Sequence, residues 1–138
     1  MEIKIRDIMT HNVECCEPTA SITELAKKMR DSNVGSIPIC ENGTLQGIVS
    51  DRDIVTRCLA ENQMDAKASD IMSADIVSGH PDMSAEEAGQ LMAEHQIRRL
   101  PILENERIAG IVALGDLSIE KDTDEKAGEA LSEISKSA

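Results

Sequence analysis

A chain of 138 residues with 41% hydrophobic side chains has the material for one compact core. Phe, Tyr and Trp are all absent, so the core must be packed with aliphatic and methionine side chains, and no base can stack on an aromatic ring. With 14 basic and 26 acidic residues the net charge is −12, a field that repels phosphate backbones and anionic lipid, so neither nucleic acid nor a membrane is an expected partner.

The residues from Met1 to Asp7 contain no apolar run long enough for a signal peptide or a membrane span, which sets the expectation of a cytoplasmic protein. A short segment around Val13 to Cys15 precedes Pro18 and reads as a strand. Ser21-x-x-Glu24 is a capping-box signature for a helix running to about Ser32, with Ile22, Leu25, Ala26 and Met29 on one face as core. Two apolar runs follow, Ser36 to Cys40 and Thr44 to Ser50, joined by Glu41-Asn42-Gly43, and Asn-Gly is the strongest short hairpin signal. A second helix is predicted from Asp51 to about Asn62, and the polar stretch Glu61 to Ser69 reads as a link.

The same succession then begins again. Asp7, Ile8 and Met9 recur as Asp70, Ile71 and Met72, an offset of 63 residues (70 − 7) that holds without a gap. Pro18 falls on Pro81, Ser21 on Ser84, Glu24 on Glu87, Met29 on Met92, Pro38 on Pro101, Gly47-Ile48-Val49 on Gly110-Ile111-Val112, and Asp53 on Asp116. The second copy predicts a strand at Ile76 to Ser78, a helix to His95, strands Arg99 to Leu103 and Arg107 to Ala113 around Asn105-Glu106, and a helix from Leu114 to about Glu120. The expected fold is therefore α/β (α+β), two tandem repeats of strand-helix-strand-strand-helix related by a pseudo-twofold. Repeat 1 spans 1–63 and repeat 2 spans 64–121, with a tail over 122–138 in which Ala127, Ala130, Leu131 and Ile134 suggest one weak helix.

Each copy resembles a cystathionine-β-synthase (CBS) domain, on MRDSNVGSIPICENGTLQGIVSDRDI in the first and MAEHQIRRLPILENERIAGIVALGDL in the second. The likeness covers about residues 6 to 120, and the chain looks most like the stand-alone CBS pairs of bacilli. The resemblance implies a Bateman module, two CBS domains facing one another with clefts for AMP, ADP, ATP, S-adenosylmethionine or a related ligand, commonly paired again as a homodimer. No obligatory cofactor is implied, and the fold alone does not fix the ligand.

The strongest site candidate is the junction Gly47 to Asp53. There a helix start offers free N–H groups, Asp53 can accept from both ribose hydroxyls, Ser50 can meet ribose or phosphate, and Arg52 can meet phosphate. Ser50 and Asp53 equally fit an ordinary capping box. In the second copy Ala113 has no hydroxyl, so capping by a reciprocal partner does not account for Asp116, and Gly115 stands where the first copy has Arg52. Arg98 and Arg99 are candidates for a phosphate, although solvated or salt-bridged surface arginines fit them as well. For the purine, the resemblance points to Val13, Cys15, Ile37 and Pro38 and to Ile76, Ser78, Leu100 and Pro101, residues that core packing would also explain.

Cys15, Cys16, Cys40 and Cys58 form no CxxC pair and have no His at ligand spacing, so they are read as reduced thiols packed as small side chains. His11, His80 and His95 share no metal spacing, and no Ser-His-Asp order or close acid pair suggests catalysis. The sequence thus points to a non-catalytic sensor of an adenosyl compound, acting on a regulated protein it does not identify. The competing expectation is a dimerising adaptor with degenerate clefts.

Overall fold

The computed structural model describes residues 3–118; the terminal helix expected near Ala127 to Ile134 lies outside them. Helix α1 (Ile22–Ser32) starts at Ser21, whose Oγ accepts the Glu24 N–H at 3.1 Å. Helix α4 (Ala85–His95) starts at Ser84 with both halves of the box: Ser84 Oγ accepts from the Glu87 backbone at 3.0 Å, and the Ser84 N–H donates to Glu87 Oε1 at 3.2 Å. Both helices end where Asn33 (φ 54°) and Gln96 (φ 55°) turn left-handed, a conformation that closes the last carbonyls.

Strands β1 (Ser36–Glu41) and β2 (Thr44–Ser50) form an antiparallel hairpin, as do β3 (Arg99–Glu104) and β4 (Arg107–Ala113). In the first turn Asn42 and Gly43 have φ of 53° and 84°; in the second Asn105 and Glu106 have 55° and 68°. Positive φ at both central residues matches the twist of the flanking strands. Glu106 does without glycine there, at a cost of roughly 1 kcal/mol. The two hairpins even share an irregularity, since the register slips between Ile39 and Cys40 and again between Ile102 and Leu103.

The segment expected as the first strand of each repeat makes only one bridge, and one residue later than expected. Cys16 pairs in parallel with Ile39, through Cys16 N–H to Pro38 O at 3.0 Å and Cys40 N–H to Cys16 O at 2.9 Å. Gly79 does the same with Ile102, through Pro101 O and the Leu103 N–H. Prolines stop the ladder on both sides. The next bond outward in one direction would need an N–H from Pro38 or Pro101, and in the other from Pro18 or Pro81, and proline has none. These are all four prolines of the chain.

The helix expected from Asp51 to Asn62 also differs. It opens as α2 (Asp51–Asp53) and widens to a π-turn over Ile54–Leu59, where the Ala60 N–H reaches Val55 O at 2.9 Å and Thr56 Oγ1 donates to Arg52 O at 2.8 Å. Side-chain insertion into the backbone ladder is a recognised cause of such distortion. In the second copy α5 (Leu114–Ser118) follows β4 directly. A further short helix, α3 (Ala68–Ile71), occupies part of the expected link, its start held by the Lys67 N–H donating to Asp70 Oδ2 at 2.9 Å.

Packing does not follow the repeat boundary. One compact unit is Glu14–Ile76; among the described residues the other joins 3–13 to 77–118. Each Asp-Ile-Met segment thus lies in the unit built on the other copy. In the first unit Ile71 is buried with Leu25, Met29, Ile37, Ile39 and Val49. In the second, Ile5 and Met9 are buried with Met92, Leu100, Ile102 and Val112. The incoming segment bonds both ways to the strand, Ile48 with Ser73 in one unit and Ile111 with Thr10 in the other. Strand glycines make room for it: a Cβ on Gly47 would stand 2.6 Å from Met72 Sδ and 3.0 Å from Ser73 O, and one on Gly110 would stand 2.7 Å from both Met9 Sδ and Thr10 O.

Gly110→Ala should therefore cost about 1–3 kcal/mol in urea unfolding, and Gly47→Ala less, because both methionine side chains can yield but the carbonyl stands 3.0 Å away at Gly47 against 2.7 Å at Gly110. Gly115→Ala, with nothing within 4 Å of its Cβ, should be neutral or stabilising by up to about 1 kcal/mol. A second expectation concerns acid. Hydrogen bonds from the Ser84 backbone and side chain hold the Glu87 carboxyl below its ordinary range. A carboxyl depressed on folding contributes stability that is present above its unfolded-state value and lost as pH falls through the folded one. Glu87→Gln keeps an acceptor for Ser84 but should flatten the fall in melting temperature below about pH 4.3.

Candidate functional site

In the first unit the junction between β2 and α2 is a complete capping box. Ser50 Oγ accepts the Asp53 N–H at 3.1 Å, and Asp53 Oδ2 accepts the Ser50 N–H at 2.9 Å. Register places Ser50 opposite Ser36, and the Asp51 N–H donates to Gly35 O at 2.8 Å, so β1 buttresses the junction. The Asp53 side chain is only 17% exposed. Its cap uses one of about four lone-pair positions on the carboxylate and locks the rotamer, leaving Oδ1 able to accept from a ligand hydroxyl.

The second junction corrects an expectation. Asp116 does serve its own helix start, because Asp116 Oδ2 accepts the Ala113 N–H at 2.9 Å. Loss of the hydroxyl at Ala113 removes only the other half of the box, since the backbone donor is independent of the side chain. Both carboxylates are thus aimed alike, each by the strand residue three positions earlier.

The arginines separate. Arg98 is exposed and its carbonyl accepts the Leu114 N–H at 2.9 Å, whereas Arg99, opposite Ala113 in the register, is half-buried near Asp116. Burial draws the Arg99 guanidinium below its ordinary value and the Asp116 carboxylate opposes that shift. Arg52 is exposed, with its N–H donating to Asp51 Oδ1 at 2.8 Å. Sequence reasoning passed over Arg57, whose Nε is 3.7 Å from Asp53 Oδ1 and whose guanidinium also donates to Ile71 O at 3.3 Å. Its spacing of four residues from Asp53 was the available signal.

Of the residues considered for a purine, Ile37 and Leu100 are fully buried in the two cores, which assigns them to packing. Pro38 and Pro101 alternate to the other side of their strands and are also buried, while Val13, Cys15, Ile76 and Ser78 keep partial exposure. The first unit brings together Cys15, Ile37, Pro38, Ser50, Arg52, Asp53 and Ile76; the second holds Val13, Arg98, Arg99, Leu100, Pro101 and Asp116. Among the described residues no three His, Cys, Asp or Glu side chains converge as metal ligands, and no helix is long and apolar enough to cross a membrane.

Comparison with known proteins bears on the same elements. The CBS domain family model matches twice, at residues 5–60 and 68–120. The CBS domain-containing protein YhcV of Bacillus subtilis is 47% identical over 132 residues, which cover 95% of this chain and 94% of that protein. The uncharacterized protein YlbB of the same organism is 47% identical over 135 residues, covering 96% and 91%. Among solved structures, the CBS domain pair of protein MJ0100, in complex with 5′-methylthioadenosine and S-adenosyl-L-methionine, superposes with a TM-score of 0.77 at 26% identity, covering 86% of this chain and 95% of that one. With the family model matched once on each repeat, the chain belongs to the CBS domain family, as a tandem pair of CBS domains like the stand-alone pairs of Bacillus subtilis.

Proposed function

We propose that this CBS pair is a non-catalytic cytoplasmic regulator that binds an adenine nucleotide or another adenosyl compound at its strand-to-helix junctions. The observation that carries the reading is the pair of carboxylates, Asp53 and Asp116, each fixed by a backbone N–H through Oδ2 and each retaining acceptor capacity for a ribose diol. The adenosyl ligands of the MJ0100 pair, a relative in fold and partly in sequence, support the same ligand class here. Ligand bias between two states of the module, or of a homodimer of it, would supply the regulatory output.

The junction with Ser50 and Asp53 is the tighter site in this reading, because Ala113 offers no hydroxyl where Ser50 has one. A competing reading, an adaptor with idle clefts, draws on Ala113 and on the exposed Val55, Leu59 and Met64, which are 54%, 60% and 55% accessible. Melting in the presence of AMP, ADP, ATP, NAD, 5′-methylthioadenosine and S-adenosylmethionine separates the two. A ligand at 100 times its Kd should add about 2.7 kcal/mol, whereas a flat panel supports the adaptor and turnover of a ligand supports an enzyme. Asp53→Asn keeps a cap acceptor but loses the charge, and should weaken binding roughly ten- to a hundredfold. Equal weakening by Asp116→Asn would overturn the ranking of the sites.

Arg99, half-buried beside Asp116, is the better phosphate partner of the arginine pair, and Arg98 contributes long-range attraction at most. Replacing both by Ala should weaken ATP more than adenosine in calorimetric titration. An equal loss for the two ligands would remove the phosphate role.

A further inference from the structure

The four cysteines are not equivalent in their surroundings. Cys16, paired with Ile39, points into the core of the first unit, and Cys58 is fully buried with its thiol donating to Gln63 O at 3.1 Å. Side-chain alternation sends Cys15 and Cys40 to the opposite side, where their sulfurs lie 3.4 Å apart in a hydrogen-bonded pair. Cys40 is buried and Cys15 partly exposed. Residues 25 apart in sequence are held at this distance by two backbone hydrogen bonds, Cys16 to Pro38 and Cys40 to Cys16. Lys28 adds a positive charge at the same place, with Nζ 3.5 Å from Cys15 O and 3.0 Å from Glu14 Oε2. A surface cavity of about 320 Å³ opens beside Cys15, with Thr19, Glu24 and Lys28 around it.

We propose that Cys15 and Cys40 are a redox-active thiol pair that closes to an intrachain disulfide by exchange with small-molecule disulfides. Cys15, the sulfur that RS–SR can reach, attacks one sulfur of RS–SR as its proton passes to the Cys40 thiolate hydrogen-bonded to it, forming a mixed disulfide and releasing one RS⁻. Cys40 then loses that proton and attacks the Cys15 sulfur, forming the Cys15–Cys40 bond and releasing the second RS⁻. Overall two cysteine thiols and RS–SR give one protein disulfide and two RSH, so the protons lost by the cysteines end on the released thiols. The hydrogen bond between the sulfurs favours the first ionisation, drawing Cys40 down, and disfavours the second, pushing Cys15 up. Burial pushes the Cys16 thiol up as well, and the Lys28 charge opposes the rise at both Cys15 and Cys16.

Closure would tie the segment at Cys15 to the strand carrying Pro38, which lies in the set considered for the purine. The thiol chemistry is tested without any nucleotide, so its failure and that of the ligand reading are separable. The full chain is equilibrated in glutathione buffers from fully reduced to fully oxidised, quenched with N-ethylmaleimide and mapped by peptide mass spectrometry. The expected result is loss of two alkylatable thiols with a Cys15–Cys40 cross-link, retained in Cys16→Ser and in Cys58→Ser and lost in Cys15→Ser and in Cys40→Ser. Lys28→Met should slow closure at neutral pH while leaving the identity of the bond unchanged. Four alkylated thiols throughout, a bond involving Cys16 or Cys58, or oxidation only to intermolecular dimers would overturn the proposal. A Cys15→Ser variant that stops at glutathionylated Cys40 would overturn the order of attack.

Discussion

A backbone passing where a Cβ would otherwise stand is the constraint on which both units rest. At Gly47 and Gly110 the strand has no side chain, and the Asp-Ile-Met segment comes close enough for reciprocal backbone bonds, Ile48 with Ser73 and Ile111 with Thr10. That approach brings Ile71 under one core and Met9 under the other, in a protein that has no aromatic side chains with which to fill space. A glycine is needed here for proximity rather than for an unusual φ, as neither position has a positive value.

The four prolines act in the complementary sense. Each denies an N–H to the parallel pairing at Cys16 or Gly79, so the chain crosses the hairpin with a single bridge and then departs toward its helix. One consequence is the partial exposure kept by Cys15, Ile76 and Ser78. A full strand there would have been more deeply integrated into the sheet; a single bridge holds position while leaving an approach from solvent.

Much of this architecture was legible because local chemistry and global fold agree. Asn42-Gly43 demanded a two-residue turn, and strands Thr44–Ser50 and Arg107–Ala113 occupy the expected positions. The Ser21 and Ser84 caps likewise located α1 and α4. Other features depend on backbone groups that a sequence does not display. The role of Asp116 in its own cap rests on the Ala113 N–H, invisible to a search for hydroxyl partners. The meeting of Cys15 with Cys40 needs a parallel bridge that neither cysteine signals. Nor does an offset of 63 residues reveal which core a repeated segment will join.

That last point bears on how such a chain can arise and be divided. A gene halved between codons 63 and 64 would encode two polypeptides, each retaining an Asp-Ile-Met segment whose cradle lies on the other product. Neither fragment would be a self-sufficient module; each would be a donor and an acceptor awaiting complementation. An ancestral single repeat of this design would have met the same requirement by assembling with a copy of itself, and fusion of the two copies would have made that partnership permanent.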